Sequence, residues 1–154
     1  MELKTIDQIK ILAGKRVLLR LDLNVPFDDG QVDKEGDRRL ERSLPTIKYL
    51  LQKKAKIIIV AHLGRPQGKE VPALSMLAVS EYLSKMLKKP IEFWADDFRD
   101  YTDDSFKMDN GSIAMIENIR FEPGEKKNSK KLECMVAVEI QVFCILVFII
   151  HPIR

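Results

Sequence analysis

Ile57-Ile58-Ile59-Val60-Ala61-His62-Leu63-Gly64-Arg65-Pro66-Gln67-Gly68 is the stretch on which the reading of this chain turns. Four branched apolar residues in a row predict a buried strand of a parallel sheet, covered on both faces. The strand runs straight into a turn rich in glycine and cations. In open α/β sheets, residues just past the carboxyl end of a strand form the rim where ligands bind. Gly64 and Gly68 allow close approach of the backbone to a ligand, and Pro66 stiffens the loop between them. His62 and Arg65 offer donors suited to phosphate or carboxylate, which an arginine can grip with two parallel bonds. The plain alternative is an ordinary strand exit with solvated charges, and the rest of the chain has to choose between them.

Working back toward the start, Lys15 to Pro26 predicts a first strand, stopped by the proline. Asp22 and Asn24 are two residues apart, so on an extended chain they share a face at its carboxyl end. They can bind a hydroxyl, fix a neighbouring arginine, or simply bond their own backbone. Asp28-Asp29-Gly30 is a hairpin signal within the polar segment Phe27 to Asp37. Arg38 to Lys54 predicts a helix with Leu40, Leu44, Ile47, Leu50 and Leu51 on one apolar face. Pro45 is tolerated if that helix starts near Ser43, and costs a hydrogen bond if it starts nearer Arg39. Arg38, Arg39 and Arg42 fall at its amino-terminal end, where the helix dipole disfavours cations unless they face an anion.

Beyond the central strand, Leu74 to Leu87 predicts a second amphipathic helix, with Leu74, Leu77, Ala78, Tyr82, Leu83, Met86 and Leu87 inward. Pro90 to Trp94 is a short strand. Asp96 to Asn110 is acidic, but its paired aspartates have no metal-ligand spacing. Ser112 to Glu117 is a fourth strand, delivering Glu117, Asn118 and Arg120 at its carboxyl end. Alternating strands and helices predict an α/β fold, a Rossmann-like parallel sheet with helices on both faces. Asp22/Asn24, His62/Arg65 and Glu117/Asn118/Arg120 then leave separate strand ends on one rim, joined by Arg39. That convergence favours an anion site. With neither a Walker loop nor G-x-G-x-x-G, the expected ligand is a small, multiply charged metabolite.

The chain of 154 residues is 45% hydrophobic and 32% charged, the balance of a soluble globular domain. Its 26 cations are offset by 23 acids, and no basic stripe appears, so nucleic acid is not an expected partner. Cys134 and Cys144 have neither metal spacing nor a disulfide framework and carry no expected catalytic role, which fits a reducing cytoplasm. The segment Met1 to Asp7 lacks the apolar stretch of a signal peptide.

Arg20-Leu21-Asp22-Leu23-Asn24-Val25-Pro26, Leu44-Pro45-Thr46-Ile47, His62-Leu63-Gly64-Arg65-Pro66, Glu117-Asn118-Ile119-Arg120-Phe121 and Gly124-Glu125-Lys126-Lys127-Asn128 occur in that order. Together they resemble the amino-terminal half of phosphoglycerate kinase, over residues 1 to about 132. The resemblance implies a glycolytic phosphotransferase that converts 1,3-bisphosphoglycerate and ADP to 3-phosphoglycerate and ATP. It also implies two α/β domains closing about a hinge, the first holding phosphoglycerate and the other Mg-ADP or Mg-ATP. By motif, Asp22 and Asn24 match residues at the glyceryl end of the substrate. Arg39 matches the arginine that stabilises the transferring phosphoryl group, and Arg38 is the weaker candidate. His62, Leu63, Gly64, Arg65 and Arg120 match the residues that hold the phosphoglycerate. The expected state is a monomer, with no membrane partner.

From residue 133 the likeness is expected to fail. The run Glu133 to Arg154 lacks the Val-Asn-Asp-Ala-Phe strand end of the family, and the nucleotide domain with its glycine-rich loop is absent. Glu139 and Gln141 interrupt the apolar run, and Val142–Ile150 is far short of the ~20 residues a membrane span needs. The choices are a buried strand or helix completing the sheet, or an aberrant hydrophobic tail (residues 133–154) from out-of-frame translation or a misjoined gene end. The abrupt change of composition favours the latter. Two function classes follow for residues 1–132: the substrate half of the kinase, inactive alone and binding no cofactor, or a non-catalytic module that binds small anions such as phosphoglycerate.

Overall fold

The computed structural model describes residues 6–25, 27–28, 31–32, 34–95, 107–122 and 143–144. Pro26, most of the acidic segment after Asp96, the Gly124–Asn128 motif and Cys134 lie outside these residues. Strands β1 (Arg16–Arg20), β4 (Lys56–Val60), β5 (Glu92–Trp94), β6 (Ile113–Ile116) and β7 (Phe143–Cys144) form one sheet in the order β5-β6-β4-β1-β7. Every pairing in it is parallel. The short strands β2 (Phe27–Asp28) and β3 (Gln31–Val32) pair antiparallel with Phe27 opposite Val32, which meets the hairpin signal.

The isoleucine run sits where its composition puts it. β4 lies between β1 and β6, with Ile57, Ile58 and Ile59 fully buried. Because side chains alternate along a strand, the run feeds two separate cores. Ile57 and Ile59 join Val17, Leu19, Ile113 and Met115 in the larger core. Ile58 and Val60 join Leu18, Ala114 and Ile116 in the smaller one, closed by Trp94, Met108 and Ile119.

Helices α1 (Lys34–Gln52) and α2 (Leu77–Leu87) both pack on the first of these faces. Leu40, Ile47 and Leu50 of α1, and Val79 and Leu83 of α2, all belong to the larger core. Among the described residues, then, both helices cover one side of the sheet, and the cover on the other side comes from Met108, Trp94 and Ile119.

Two helix boundaries differ from expectation. α1 begins at Lys34, so Arg38, Arg39 and Arg42 lie inside the helix and not at its amino-terminal end. The dipole argument for an anion at that end therefore does not apply to them. Pro45 sits within α1. It removes one backbone donor and leaves the Glu41 carbonyl without its helical partner. Pro45 and Glu41 are both exposed, so water can take that carbonyl. α2 starts at Leu77, after a separate 3-10 turn at Pro72–Leu74. Its buried residues are Val79, Ser80 and Leu83, while Leu77 is 45% exposed and Ala78 is also exposed. Leu83 is in the larger core and Leu74, Tyr82, Met86 and Leu87 pack against it as expected, so the departures from the expected face are Leu77 and Ala78, beside the break.

Candidate functional site

Past β1 the chain leaves the sheet but keeps its alternation. Leu21, Leu23 and Val25 are buried, Asp22 is exposed and Asn24 is half-buried, so the two polar side chains share the outward face as expected. The Asp22 Oδ1 atom accepts the Asn24 backbone N–H at 3.4 Å, a local turn contact. Asn24 instead reaches across the sheet: its Oδ1 accepts the Gly64 N–H at 2.8 Å. Arg39 comes over from α1, with Nη1 donating to the Asn24 carbonyl at 3.4 Å and lying 3.6 Å from Asp22 Oδ2. Asp22 is 64% exposed in this pair, which makes it a device for aiming Arg39 more than a source of stability.

Gly64 is the hub of the loop after β4. Its φ is +61°, in the left-handed region. The sequence assigns this glycine to close ligand approach, yet the structure gives it another neighbour. A Cβ built there would lie 2.7 Å from Leu74 Cδ2. While its N–H goes to Asn24, its carbonyl accepts Arg120 Nη1 at 2.8 Å. The Arg120 carbonyl in turn accepts the Gly68 N–H at 3.2 Å. Pro66 is buried and Arg65 is exposed.

The chain leaves β4 and β6 in opposite directions. After β4, Leu63 and then Met76 enter the larger core. After β6, Ile119 enters the smaller core on the other face. His62–Gly68 and Asn118–Arg120 meet at the carboxyl ends of the two strands, the rim where such sheets bind ligands, and the Ile119 N–H donates to the Ala61 carbonyl at 3.4 Å.

His62 is half-buried, and its imidazole pKa is lowered from 6.5 to about 4. Burial is the largest cause and the Arg120 charge the next; Asp22 opposes them, and Arg20 adds to the lowering. At neutral pH the ring is therefore neutral, surrounded by more cation than anion. Between pH 6.5 and about 4 the unfolded chain takes up a proton that the folded chain refuses. This contribution to stability is intact above 6.5 and is lost as pH falls toward 4. An NMR titration of the His62 ring, assigned by loss of the signal in His62→Asn, should give a midpoint near 4. A midpoint at 6 or above would contradict the buried, cation-flanked placement.

The family model described as phosphoglycerate kinase matches residues 6–148. The chain belongs to the phosphoglycerate kinase family. A phosphoglycerate kinase from Caulobacter sp. (strain K31) is 43% identical over 141 residues, which is 89% of this chain and 34% of that protein. One from Clostridioides difficile (strain 630) is 41% identical over 143 residues, 91% of this chain and 35% of that one. The solved phosphoglycerate kinase of Coxiella burnetii superposes with a TM-score of 0.73 at 34% identity, covering 86% of this chain and 32% of the other. That of Pyrococcus horikoshii OT3 gives 0.72 at 30% identity, covering 90% and 33%. The chain spans about a third of the length of the curated relatives it matches. The family match extends to residue 148, past the change of composition at residue 133, and β7 pairs Phe143 with Val17 of β1.

Of the residues that sequence marks out in this phosphoglycerate kinase family member, Asp22, Asn24, Arg39, Gly64 and Arg120 are joined by direct bonds. His62 lies near enough to Asp22 and Arg120 to feel their charges, Arg120 disfavouring and Asp22 favouring its protonated form. Leu63 is buried and takes part through its carbonyl, which accepts Asn118 Nδ2 at 2.8 Å. Among the described residues Arg65 makes no hydrogen bond or ion pair with the others. Ser75 is a site neighbour that sequence reasoning missed: its hydroxyl donates to Glu117 Oε2 at 2.7 Å. The Met76 and Asn118 N–H groups both donate to Glu117 Oε1, at 2.8 and 2.6 Å. Ser75 lies two residues before α2, between it and the 3-10 turn, and nothing in its spacing names a partner 42 residues away.

Proposed function

We propose that this chain is the phosphoglycerate-binding part of a phosphoglycerate kinase, which moves a phosphoryl group between 1,3-bisphosphoglycerate and ADP. The observation that carries the proposal is the unbroken run of bonds from Arg39 through Asn24 and Gly64 to Arg120 in a member of that family. A three-carbon acid carrying a carboxylate and a phosphate needs several fixed cations and a hydroxyl partner. Arg39, Arg65 and Arg120 supply the cations, and Asp22 with Asn24 supplies polar groups for the glyceryl end. Phosphoryl transfer is catalysed mainly by positioning and by neutralising charge on the moving group, and Arg39 takes that role here. His62 enters as a neutral donor. An arriving anion offsets the Arg120 and Arg20 charges and raises the proton affinity of the ring.

Mg-ADP and Mg-ATP belong, in this proposal, to the remaining two-thirds of a family enzyme. Among the described residues no group of three or more His, Cys, Asp or Glu side chains is arranged to hold a metal ion. No helix of the described residues is long and apolar enough to cross a membrane. A monomeric, cytoplasmic protein completes the reading, as the family resemblance implies. The family match to residue 148 and the β7 pairing support counting part of the segment after residue 132 as a strand of the same sheet.

Calorimetric titration of the full chain with 3-phosphoglycerate tests the proposal. Binding should be weak and should fall with added salt, as exposed cations meeting a polyanion require. Arg39→Ala and Arg65→Ala should each weaken it by about 1.5–3 kcal/mol, the range for a hydrogen bond to a charged group. Arg16→Ala, at the opposite end of β1, should leave it unchanged. Equal affinity in all three variants, or an Arg16 effect as large as that of Arg65, would overturn the site.

A further inference from the structure

We propose that Asn118, held by Glu117, is a positioning residue for the anion site: its side-chain amide sets the backbone of both loops that carry the binding groups. The inference rests on the anion-site reading above and extends it to residues that need not touch the ligand. Asn118 is 2% exposed and uses three of its four side-chain hydrogen bonds. Nδ2 donates to the Leu63 carbonyl and to the Leu74 carbonyl, both at 2.8 Å. Oδ1 accepts the Arg120 N–H at 3.1 Å.

What separates this from ordinary core satisfaction is where the bonds land. Leu63 lies between His62 and Gly64. The Arg120 N–H belongs to the cation that grips the Gly64 carbonyl. Leu74 is the residue whose side chain fills the space beside Gly64. One planar amide therefore fixes the rim of β4, the rim of β6 and the packing partner of the hub. A shift of that amide moves His62, Gly64 and Arg120 relative to one another.

Glu117 fixes Asn118 from behind. Its carboxylate meets only donors: the Asn118 N–H, the Met76 N–H and the Ser75 hydroxyl. The Ser75 oxygen also accepts the Leu77 N–H at 3.1 Å, which ties the start of α2 to the same node. The bonds run on without a break through Arg120, Gly64 and Asn24 to Arg39.

The test compares Asn118→Asp, Glu117→Ala and Glu117→Gln in the full chain. Asn118→Asp keeps the shape and loses at least one of the two donors. Glu117→Ala removes the orienting carboxylate from a half-buried site that water can refill. Glu117→Gln keeps an acceptor for the two N–H groups, and the Ser75 hydroxyl can rotate to accept. Each variant is read by 3-phosphoglycerate affinity of the folded chain, by urea stability, and by hydrogen exchange of the Gly64 and Gly68 amides. Asn118→Asp and Glu117→Ala should each bind about tenfold more weakly and exchange both amides faster, as loss of one well-placed charged contact would. Glu117→Gln should restore affinity to within about twofold of wild type. If Asn118→Asp does not fold, the Glu117 pair decides alone. Lowered stability with unchanged affinity and unchanged Gly64 and Gly68 exchange would overturn the proposal and leave Asn118 a structural residue. If wild type binds no 3-phosphoglycerate, the anion-site reading fails, and the amide exchange still decides whether Asn118 and Glu117 set the loop.

Discussion

Gly64→Val should lose about 2–4 kcal/mol of stability and all measurable 3-phosphoglycerate binding. Two independent costs add at this position. A φ of +61° is unfavourable for any residue with a Cβ, and most of all for a β-branched one. The new Cβ would also press on Leu74, 2.7 Å from one terminal methyl and 3.0 Å from the other. Relief by rotating the backbone would break the bonds to Asn24 and Arg120, and with them the site. Gly14→Ala is the matched control. Gly14 shares the left-handed backbone, at φ +71°, but its Cβ would approach the Asn110 side chain no nearer than 3.4 Å, at Oδ1. Gly14→Ala should lower stability by about 1 kcal/mol and leave binding alone. Urea unfolding and calorimetry of the two variants check this, and equal effects in both would count against the hub.

Ile59→Ala should cost about 2–5 kcal/mol, the range for truncating a fully buried isoleucine in a core that relaxes only in part. Ile59 is in register with Leu19 on one side and Met115 on the other, so the cavity opens at the centre of the sheet. A domain of this kind has only about 5–15 kcal/mol to lose. Ile11→Ala, at a residue 71% exposed, should change stability by less than about 0.5 kcal/mol. Denaturant midpoints separate the two. Affinity measured on the folded fraction of Ile59→Ala should stay near wild type, because Ile59 holds the sheet and not the loops.

The parallel sheet was legible because its strands are runs of branched apolar residues between polar punctuation, and Ile57–Val60 can be little else. The rim was legible for a related reason, since charged and amide residues directly after such runs must fall at strand ends. Helix starts were not. Asp33 and Glu35 are residue types favoured at a helix start, but Gly36 follows them at once and Pro45 invites a later start that its exposed setting makes unnecessary. The second helix was legible in most of its inward face, but not in its start, because Leu74 and Leu77 fit one periodicity on paper while they fall in two separate elements. Within the site, residue type announced the cations but not the geometry. Asn118 and Glu117 stood out as polar residues at a strand end, and their part as holders of backbone depends on partners 41 to 55 positions distant. No local pattern encodes such pairings.

Gly64 joins Asn24, 40 residues before it, to Arg120, 56 residues after it. Each of these links closes a long loop, and contacts of that span arise late because chain entropy must be given up before they return anything. This bonded rim therefore has no precursor in any short peptide of this sequence. It comes into being with the last pairings of the sheet, so an anion that fits it would act as a reporter on completed folding. During synthesis, no amount of waiting assembles it before residue 120 has emerged to meet the loop already made.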